Sequence, residues 1–382
     1  MASGRVRWGA LVEREPSRQS GLLAGVRQSL SRLTAGNGSL VVVDIGSSAV
    51  KLLEVRGAAD TFEVVRAGIA PVPEGALANN TIQDSVAISD VIRRLVENLK
   101  VSSRQVITAV PGPAVIIKKA LLELRPDEDL ETLLMIEAQN FIPESLENVN
   151  LDYQVLRHED AQAEVLLVAV RKDILDGFTG AIRQAGLEPS IVDVDYFALE
   201  NMFLLNYGSP TADQNRTVAL VNIGARYSSI NILHNGASTT TGDVQAGGGA
   251  ITDDLVSSLG ISYAEAERLQ TGEDLGAAVA ERALPILERG ANDLGEGIVQ
   301  ALNFLCRTGS DDPLAAVYLA GGGARTPGLL EGLTQQLDIP VEMVDPFARV
   351  QIGRNLDPDV LQEMAPALAV AVGLGARRPG DA

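Results

Sequence analysis

The sequence contains few of the side chains that disulfides, metal sites and aromatic clusters need. Its 382 residues include one cysteine, two histidines and one tryptophan, and only 4% are aromatic. A single cysteine excludes a disulfide framework and a cysteine-based zinc site, and it is typical of a reducing compartment. No apolar run approaches the ~20 residues that span a bilayer, and the first residues lack the apolar core of a secretory signal. We therefore expect a cytoplasmic protein.

Basic side chains are also scarce. The chain has 31 lysines and arginines against 50 acidic residues, which gives a formal net charge of −19. Because nucleic-acid binding depends on basic side chains that contact phosphates, nucleic acid is not an expected partner. Hydrophobic residues nevertheless make up 46% of the chain. We therefore expect a folded protein with a large core rather than a disordered acidic chain.

The length of the chain predicts two domains or one large two-lobed fold. Residues 1–38 stand apart, because six arginines face only two glutamates there. A flexible basic tail is the favoured interpretation, and a short amphipathic helix that contacts anionic lipid or a partner is the alternative. The other predicted boundaries are a first lobe at 39–207, a linker at 208–216, a second lobe at 217–376 and a tail at 377–382.

The hydrophobic pattern of the first lobe predicts one half of a mixed α/β sheet, with three strands, a helix and a fourth strand. Between about 114 and 187 the pattern changes to strand, helix, two strands and helix, which predicts an inserted small α+β subdomain. Its first helix is predicted over 127–141, where the acidic run 127–129 complements the positive end of the helix dipole. His158 is assigned to a loop.

The opening pattern of the first lobe recurs after the linker. A buried strand that ends in Asp44 leads into a glycine turn and a second strand, and the strand before Asn222 does the same. This internal duplication predicts two matching hairpins, one in each lobe.

Two glycine turns that face each other across a cleft are suited to hold phosphates. Glycine lets the backbone approach an anion closely, and successive N–H groups form a binding site for it. Asp44 is predicted to hold Mg²⁺ through water, and Lys51 to supply a point charge. Each turn by itself also fits an ordinary tight hairpin. The candidate residues are Asp44, Gly46, Ser47, Ser48 and Lys51 in the first turn and Asn222, Gly224 and Ser228 in the second.

Two further glycine runs each precede a predicted helix, at 247–249 and at 321–323. A loop that allows close backbone approach, with a helix N-terminus behind it, suits a nucleotide. Each run alone also fits a helix cap or a tight strand-to-helix turn. In the segment between the two glycine runs, Ser262 and Glu265 have the spacing of a capping box, which predicts the start of another helix.

The order of a phosphate turn, an inserted subdomain, a second phosphate turn and a glycine loop resembles the actin-like ATPase fold. Within that fold, the sequence is similar to the PilM family of type IV pilus assembly proteins, over about residues 40–376. The segments that carry the resemblance are Val43-Asp-Ile-Gly-Ser-Ser-Ala-Val-Lys51, Ala109-Val-Pro-Gly112, Glu137-Ala-Gln-Asn-Phe-Ile-Pro143, Asn150-Leu-Asp-Tyr153, Val192-Asp-Val-Asp195, Val344-Asp-Pro-Phe347 and Ala365-Pro-Ala-Leu-Ala-Val-Ala-Val-Gly373.

The resemblance implies a two-lobed actin-like fold that binds ATP and Mg²⁺. It places Gly247 and Gly248 near the ribose, Gly321 and Gly322 at the adenine, and Glu267 at the nucleoside. It also implies a partner, the cytoplasmic N-terminal peptide of a PilN-like inner-membrane protein, which would bind in the groove between the first lobe and the insert. Such a protein would be peripheral to the inner membrane and would link its partner to the pilus motor in twitching motility. A homo-oligomer or a ring is a further expected form.

Three departures from the family pattern bear on activity. Asn222 stands where relatives usually have an acid, and Gln270 stands where a lysine is common beside the nucleoside. Arg226 and Tyr227 bring bulk to the second turn, and a phosphate contact is the alternative role for Arg226. Because phosphoryl transfer depends on a positioned metal and an oriented water, the loss of one acid is expected to impair hydrolysis more than binding. The sequence therefore predicts a nucleotide-binding protein with weak or absent ATPase activity.

Three other functions fit the same fold, because a fold does not fix a function. A small-molecule kinase would need an acid in the cleft, and the strand that ends in Ala109-Val-Pro-Gly112 offers none. An FtsA-like division protein would end in an amphipathic membrane helix, and the related type II secretion module would continue into a transmembrane helix. Neither pattern is visible in the sequence. The pilus adaptor is therefore the favoured interpretation.

Overall fold

The computed structural model describes residues 38–123, 130–159, 162–208, 216–273, 276–309 and 312–378. Four predictions therefore lie wholly or largely outside the described residues. They concern the basic tail, the acidic run 127–129, the linker at 208–216 and the C-terminal tail at 377–382.

The described residues form strands and helices that alternate along the chain. The strands are β1 (Ser39–Ile45), β2 (Ala49–Ala58), β3 (Thr61–Pro71), β4 (Leu77–Ala78), β5 (Thr81–Ile82), β6 (Gln105–Val110), β7 (Val115–Glu123), β8 (Val149–Glu159), β9 (Gln162–Arg171), β10 (Glu188–Val194), β11 (Thr217–Ile223), β12 (Ser228–His234), β13 (Ala237–Val244), β14 (Leu314–Ala320), β15 (Val341–Met343) and β16 (Gln351–Ile352). The helices are α1 (Ser85–Leu99), α2 (Leu130–Phe141), α3 (Lys172–Gln184), α4 (Asp195–Tyr207), α5 (Gly248–Leu259), α6 (Tyr263–Gln270), α7 (Ala277–Gly309), α8 (Leu329–Leu337), α9 (Pro358–Met364) and α10 (Ala369–Leu374).

The first lobe is built on a six-stranded sheet in the order β10-β6-β1-β2-β3-β16. β1 runs antiparallel to β2 and parallel to β6. Five of the seven β1 side chains are apolar and buried, as is typical of a strand covered on both faces. Alternate β1 residues enter different cores: Val42 packs towards the second lobe, and Val43 packs with α1 and α3.

The second lobe repeats this arrangement in a five-stranded sheet ordered β13-β12-β11-β14-β15. β11 runs antiparallel to β12 and parallel to β14, as β1 does with β2 and β6. Its side chains alternate in the same way, with Leu220 in the core shared with the first lobe and Val221 in a separate core under α7 and α8. The predicted duplication of the hairpin is confirmed.

Helices α4 and α10 pack against each other between the two sheets. Gly373 of α10 lies so close to α4 that an added Cβ would be 1.7 Å from the Ala198 carbonyl oxygen. Both helices contribute to the core that also contains β1 and β11 side chains. The C-terminal helix is therefore part of the junction between the lobes.

A three-stranded sheet, ordered β7-β9-β8, projects from the first lobe after a 3₁₀ turn at Gly112–Ala114. Helix α2 covers one face of it, with Leu134 packed among the strand side chains. The assignment of His158 to a loop is wrong, because this residue lies in β8. Helix α3, within the predicted interval 114–187, packs with α1 in the first-lobe core, and that core also contains Leu166, Val168 and Val170 of β9.

The later elements of the second lobe were predicted less completely. β13 was not predicted, since its serines and threonines give no apolar alternation. The capping box at the start of α6 is confirmed, with the Ser262 and Glu265 side chains bonded to each other's backbone N–H groups. Within the described residues, no helix is long and apolar enough to cross a membrane.

Candidate functional site

A cavity of about 430 Å³ lies between the two lobes, where the turns of the duplicated hairpins face each other. The β1–β2 turn lines it from the first lobe, and the β11–β12 turn lines it from the second. The turns match in detail, because the Gly46 N–H donates to the Ala49 carbonyl at 3.0 Å and the Gly224 N–H donates to the Tyr227 carbonyl at 3.0 Å. The volume is within the range of small-molecule sites.

The first turn has a fixed charge pair and free donors. Lys51 Nζ lies 3.1 Å from Asp44 Oδ2, and both side chains are largely buried. An added Cβ at Gly46 would be 2.7 Å from the same nitrogen, so glycine makes room for the lysine. The amide and hydroxyl groups of Ser47 and Ser48 donate to no described residue. These four donors and the lysine suit a polyanion, and the carboxylate suits its metal ion.

The second turn packs tightly on the start of α5. Gly248 N donates to the Gly224 carbonyl, and Gly249 N donates to the Ala225 carbonyl. An added Cβ at Gly247 would lie 2.4 Å from the Gly224 oxygen. Asn222 lies at the end of β11, in the position that Asp44 has in β1, and its oxygen faces Gly321. The acid of the first hairpin is therefore matched by a neutral amide in the second.

The opposite part of the cavity is lined by α6 and by the glycine loop after β14. Glu267 and Gln270 are one helical turn apart on α6, and both line the cavity. Burial raises the pKa of Glu267 above its usual value. Gly321, with a φ of 87°, lies where an added Cβ would be 2.3 Å from the Ile223 carbonyl oxygen, so this loop requires glycine.

Asp195 is a fully buried acid in the cavity wall. Oδ1 accepts a hydrogen bond from Gly112 N at 2.8 Å, and Oδ2 accepts one from the Tyr227 hydroxyl at 3.0 Å. Burial raises the pKa of Asp195 to about 7, with a further contribution from the nearby Asp243, and the two hydrogen bonds oppose that rise. Tyr227 belongs to the second lobe, so this bond joins the lobes across the cavity.

Next to Asp195, the side chain of Tyr196 also reaches the second lobe. The Tyr196 hydroxyl donates to Asp243 Oδ1 on β13 at 2.5 Å. The backbone carbonyl of Tyr196 accepts a hydrogen bond from Asn231 Nδ2 on β12 at 3.2 Å. Burial raises the pKa of Asp243. The first turn of α4 is thus hydrogen-bonded to three residues of the second lobe.

The structure brings most of the predicted site residues together. Ser228 and Gly247 do not line the cavity: the Ser228 hydroxyl is buried and donates to the Ala246 carbonyl, and Gly247 supports the second turn from behind. The predicted residues that line the cavity are Asp44, Gly46, Ser47, Ser48, Lys51, Asn222, Gly224, Gly248, Glu267, Gly321 and Gly322.

Asp195 and Tyr227 line the cavity, although the sequence analysis gave them no part in it. Asp195 begins α4, and because β10 lies beside β6, this acid lies next to Gly112. The absence of an acid from the 109–112 strand therefore no longer argues against a kinase. Tyr227 was noted only for its bulk. The sequence did contain a signal for Asp195, because ligands bind at the carboxyl ends of parallel strands and this acid directly follows such a strand.

The lining residues fit a nucleotide with Mg²⁺. Mg²⁺ is commonly held by one or two carboxylates together with phosphates and water. Asp44 offers such a carboxylate, while the described residues contain no cluster of three or more histidine, cysteine, aspartate or glutamate side chains that could hold a metal by themselves. The serine and glycine turns offer donors to phosphates, and α6 offers acceptors at the other end.

Comparison with known proteins agrees with this arrangement. A chain described as the PilM–PilN type IV pilus biogenesis complex is 26% identical, with a TM-score of 0.76, and the match covers 90% of this chain and 100% of that one. The ethanolamine utilization protein EutJ of Carboxydothermus hydrogenoformans is 18% identical, with a TM-score of 0.50 and 89% of each chain covered. The family described as type IV pilus assembly protein PilM matches residues 42–379.

The duplicated sheets, the facing hairpin turns and these structural matches define a two-lobed actin-like ATPase fold of mixed α/β class. Within that class, the chain belongs to the PilM family of type IV pilus assembly proteins. Family membership, rather than the missing strand acid, now favours the pilus protein over the kinase and division proteins.

Proposed function

We propose that this chain is a nucleotide-binding adaptor of type IV pilus assembly, which binds ATP with Mg²⁺ between its lobes and holds the cytoplasmic N-terminal peptide of a PilN-like protein. The observation that carries the nucleotide part is the pair of matching glycine turns across one cavity, with the free donors of Ser47 and Ser48 beside Lys51. Asp44 would hold Mg²⁺ through water, and the metal would neutralise phosphate charge.

The partner part is supported by the similarity to the chain of the PilM–PilN complex. The proposed peptide site is the groove between the insert and the first lobe. Alternate β7 residues share one face of the insert sheet. Val115 and Ile117 of that face pack on the first-lobe core, whereas Leu121, further out, is 64% exposed. An apolar side chain of a short peptide would find its contact at this point.

The protein is proposed to work at the cytoplasmic side of the inner membrane, where it would link the PilN-like protein to the pilus motor in twitching motility. Because the peptide is tethered to a membrane anchor, its effective concentration is high and a weak contact is sufficient. Assembly into a homo-oligomer or a ring is compatible with this role. Hydrolysis is proposed to be slow, since Asn222 offers no charge to a metal-bound water.

The test combines nucleotide release with peptide titration. The purified chain is denatured, any released nucleotide is identified by chromatography, and a synthetic N-terminal peptide of a PilN-like protein is titrated into the intact protein by calorimetry. We expect bound adenine nucleotide and a peptide complex. Leu121→Ser should weaken peptide binding about tenfold, because it removes one apolar contact.

Val360→Ser is the matched control, since Val360 is 51% exposed on α9, outside the insert. It should leave peptide affinity unchanged. Well-folded protein that binds ATP but no peptide would contradict the peptide-binding part of the proposal and leave the nucleotide part standing. Protein that binds neither would contradict the whole proposed function.

A further inference from the structure

The basic segment 1–38 joins the rest of the chain at the end of the first lobe that lies away from the cavity. β1 begins at Ser39, whereas Ile45 at its other end lines the cavity. Ser39 pairs with Arg56 of β2, and its hydroxyl oxygen lies 3.2 Å from that of Ser102. We call the surface around Ser39 the basal face, and it consists of residues 56–61, 97–105, 183–188 and 378.

Hydrogen bonds join the separate segments of the basal face. The hydroxyls of Ser39 and Ser102 both donate to Oε1 of the buried Glu54, at 2.8 and 2.5 Å. The backbone N–H of Glu188 donates to the Arg104 carbonyl at 2.8 Å. Arg378 donates to the Gly57 carbonyl through Nε at 3.1 Å and through Nη2 at 2.8 Å. The basal face is therefore a fixed surface at the point where the basic segment begins.

The charge of this end differs from that of the rest of the chain. The ionisable side chains of the basal face are the basic Arg56, Lys100, Arg104, Arg183 and Arg378 and the acidic Asp60, Glu97 and Glu188, with the buried Glu54 beneath them. With segment 1–38, this end has eleven of the 31 basic residues and six of the 50 acidic ones. One end of a strongly acidic protein is therefore positively charged.

Segment 1–38 also contains apolar residues between its arginines. The single tryptophan of the chain, Trp8, lies in it, and four further apolar residues recur at helical spacing, namely Leu22, Val26, Leu30 and Leu33. Tryptophan is favoured at membrane–water interfaces, and arginine combined with periodic apolar residues is typical of segments that bind anionic lipid. Binding to nucleic acid needs the cations alone and would leave these apolar side chains without a contact.

We propose that segment 1–38 and the basal face together bind the surface of an anionic phospholipid bilayer directly, with Trp8 at the lipid interface. This goes beyond the proposed function, in which the membrane is reached only through the PilN-like protein. Attraction acts mainly over the Debye length, which is about 8 Å at physiological ionic strength, so acids on the far side of the lobe oppose it little. The bound protein would then have its cavity facing away from the lipid.

The test uses the full chain without any partner. Vesicles of phosphatidylcholine alone, or of phosphatidylcholine with an equal amount of phosphatidylglycerol, are titrated into the protein, and sedimentation measures the bound fraction. The emission of Trp8 is recorded in the same samples and reports on segment 1–38 alone, because the chain has no other tryptophan. We expect binding and a blue shift of the emission only with the anionic vesicles, and both should weaken as salt is added.

Two double variants test the two parts of the surface. Arg27→Gln with Arg32→Gln removes charge from segment 1–38, and Arg56→Gln with Lys100→Gln removes it from the basal face. Neither Arg56 nor Lys100 forms an ion pair with a described residue, so their replacement should leave the fold intact. Each pair should weaken binding to anionic vesicles about tenfold or more, since each basic residue near such a surface contributes to the attraction.

Arg282→Gln with Arg289→Gln is the matched control, because both arginines are exposed on α7 in the second lobe. It removes the same charge and should leave vesicle affinity unchanged. Equal binding to neutral and anionic vesicles, or an equal loss of affinity in the control, would overturn the proposal. An emission of Trp8 that is already blue-shifted without vesicles and does not respond to them would also overturn it, since segment 1–38 would then contact the protein itself. So would a blue shift with duplex DNA but not with anionic vesicles.

Discussion

At the scale of single residues, the cavity combines acids that have different surroundings. Asp44 is paired with Lys51, Asp195 is fully buried and hydrogen-bonded to Tyr227, and Glu267 has no described hydrogen-bond partner. An ion pair favours a charged carboxylate, and burial favours a neutral one. The cavity therefore has an ion-paired carboxylate at one end and, at the other, a carboxylate without a described hydrogen-bond partner.

Asp195 predicts a pH dependence of stability. Its pKa is raised from 3.8 to about 7 in the folded chain, so the folded state binds more protons than the unfolded state between these values. The stability contribution of this group is therefore complete below about pH 4 and is lost as the pH rises towards 7. Asp195→Asn removes the penalty and keeps both hydrogen bonds, since its oxygen can accept from Gly112 and its nitrogen can donate to Tyr227.

We expect Asp195→Asn to be more stable than the unaltered protein by an amount that grows between pH 4 and 7, up to about 4 kcal/mol. Urea unfolding at several pH values measures the difference. Asp60→Asn, at an exposed turn, should change stability little at any pH. A difference for Asp195→Asn that is constant with pH would show that the carboxyl group is already ionised at pH 4.

At the scale of elements, close helix packing decides where glycine is needed. α4 and α10 approach so closely that the Ala198 carbonyl oxygen occupies the space where a Cβ at residue 373 would lie. Gly332, in the middle of α8, has no atom within 4 Å of an added Cβ. The two glycines are both helical, but only the first has a packing reason, because helix interiors otherwise favour alanine.

Gly373→Ala and Gly332→Ala are therefore expected to change stability in opposite directions. The first should destabilise the protein by about 1–3 kcal/mol or more, since α10 must move away from α4. The second should stabilise it by about 0.5–1 kcal/mol, through higher helix propensity and a less flexible unfolded chain. Denaturant unfolding of the two variants tests this. Equal effects would contradict the close packing of the two helices.

At the scale of the whole molecule, the lobes are joined by a shared core and by polar contacts across the cavity. The Tyr227–Asp195 and Tyr196–Asp243 hydrogen bonds both connect the start of α4 to the second lobe. Lys119 of the insert adds a third contact, by donating to the Ser238 carbonyl on β13 at 2.9 Å. The insert, the first lobe and the second lobe therefore meet at one edge of the second sheet.

Tyr196→Phe is expected to loosen this junction. The variant leaves a partly buried Asp243 without its donor, and it should lower stability by about 1–3 kcal/mol. Amide hydrogen exchange should become faster in β13 and in the turns that line the cavity. Tyr318→Phe is the control, because the Tyr318 hydroxyl accepts from Arg216 within the second lobe. If exchange at the cavity is as slow in Tyr196→Phe as in the control, the hydrogen bond does not hold the lobes together.

Local sequence patterns determined much of the fold. The continuous apolar runs of β1 and β11, the glycine turns after them and the capping box of α6 depend on neighbouring residues, so they are visible in the chain. The duplication of the hairpin followed from the same patterns. β13 was missed, because a polar edge strand has no apolar period and is recognised only through its pairing with β12.

For the site, the sequence by itself supplied the residues of the two hairpin turns and of the glycine loops. Tertiary structure decided which of them meet: it turned Ser228 away from the cavity and brought Asp195 into it. It also fixed the amide of Gln270, since Thr326 and Gly248 come from other parts of the chain. The physical reason is that burial and hydrogen bonding depend on residues that are distant in sequence. A residue's chemistry can be read from its type, but its protonation and its orientation depend on the neighbours that the fold brings to it.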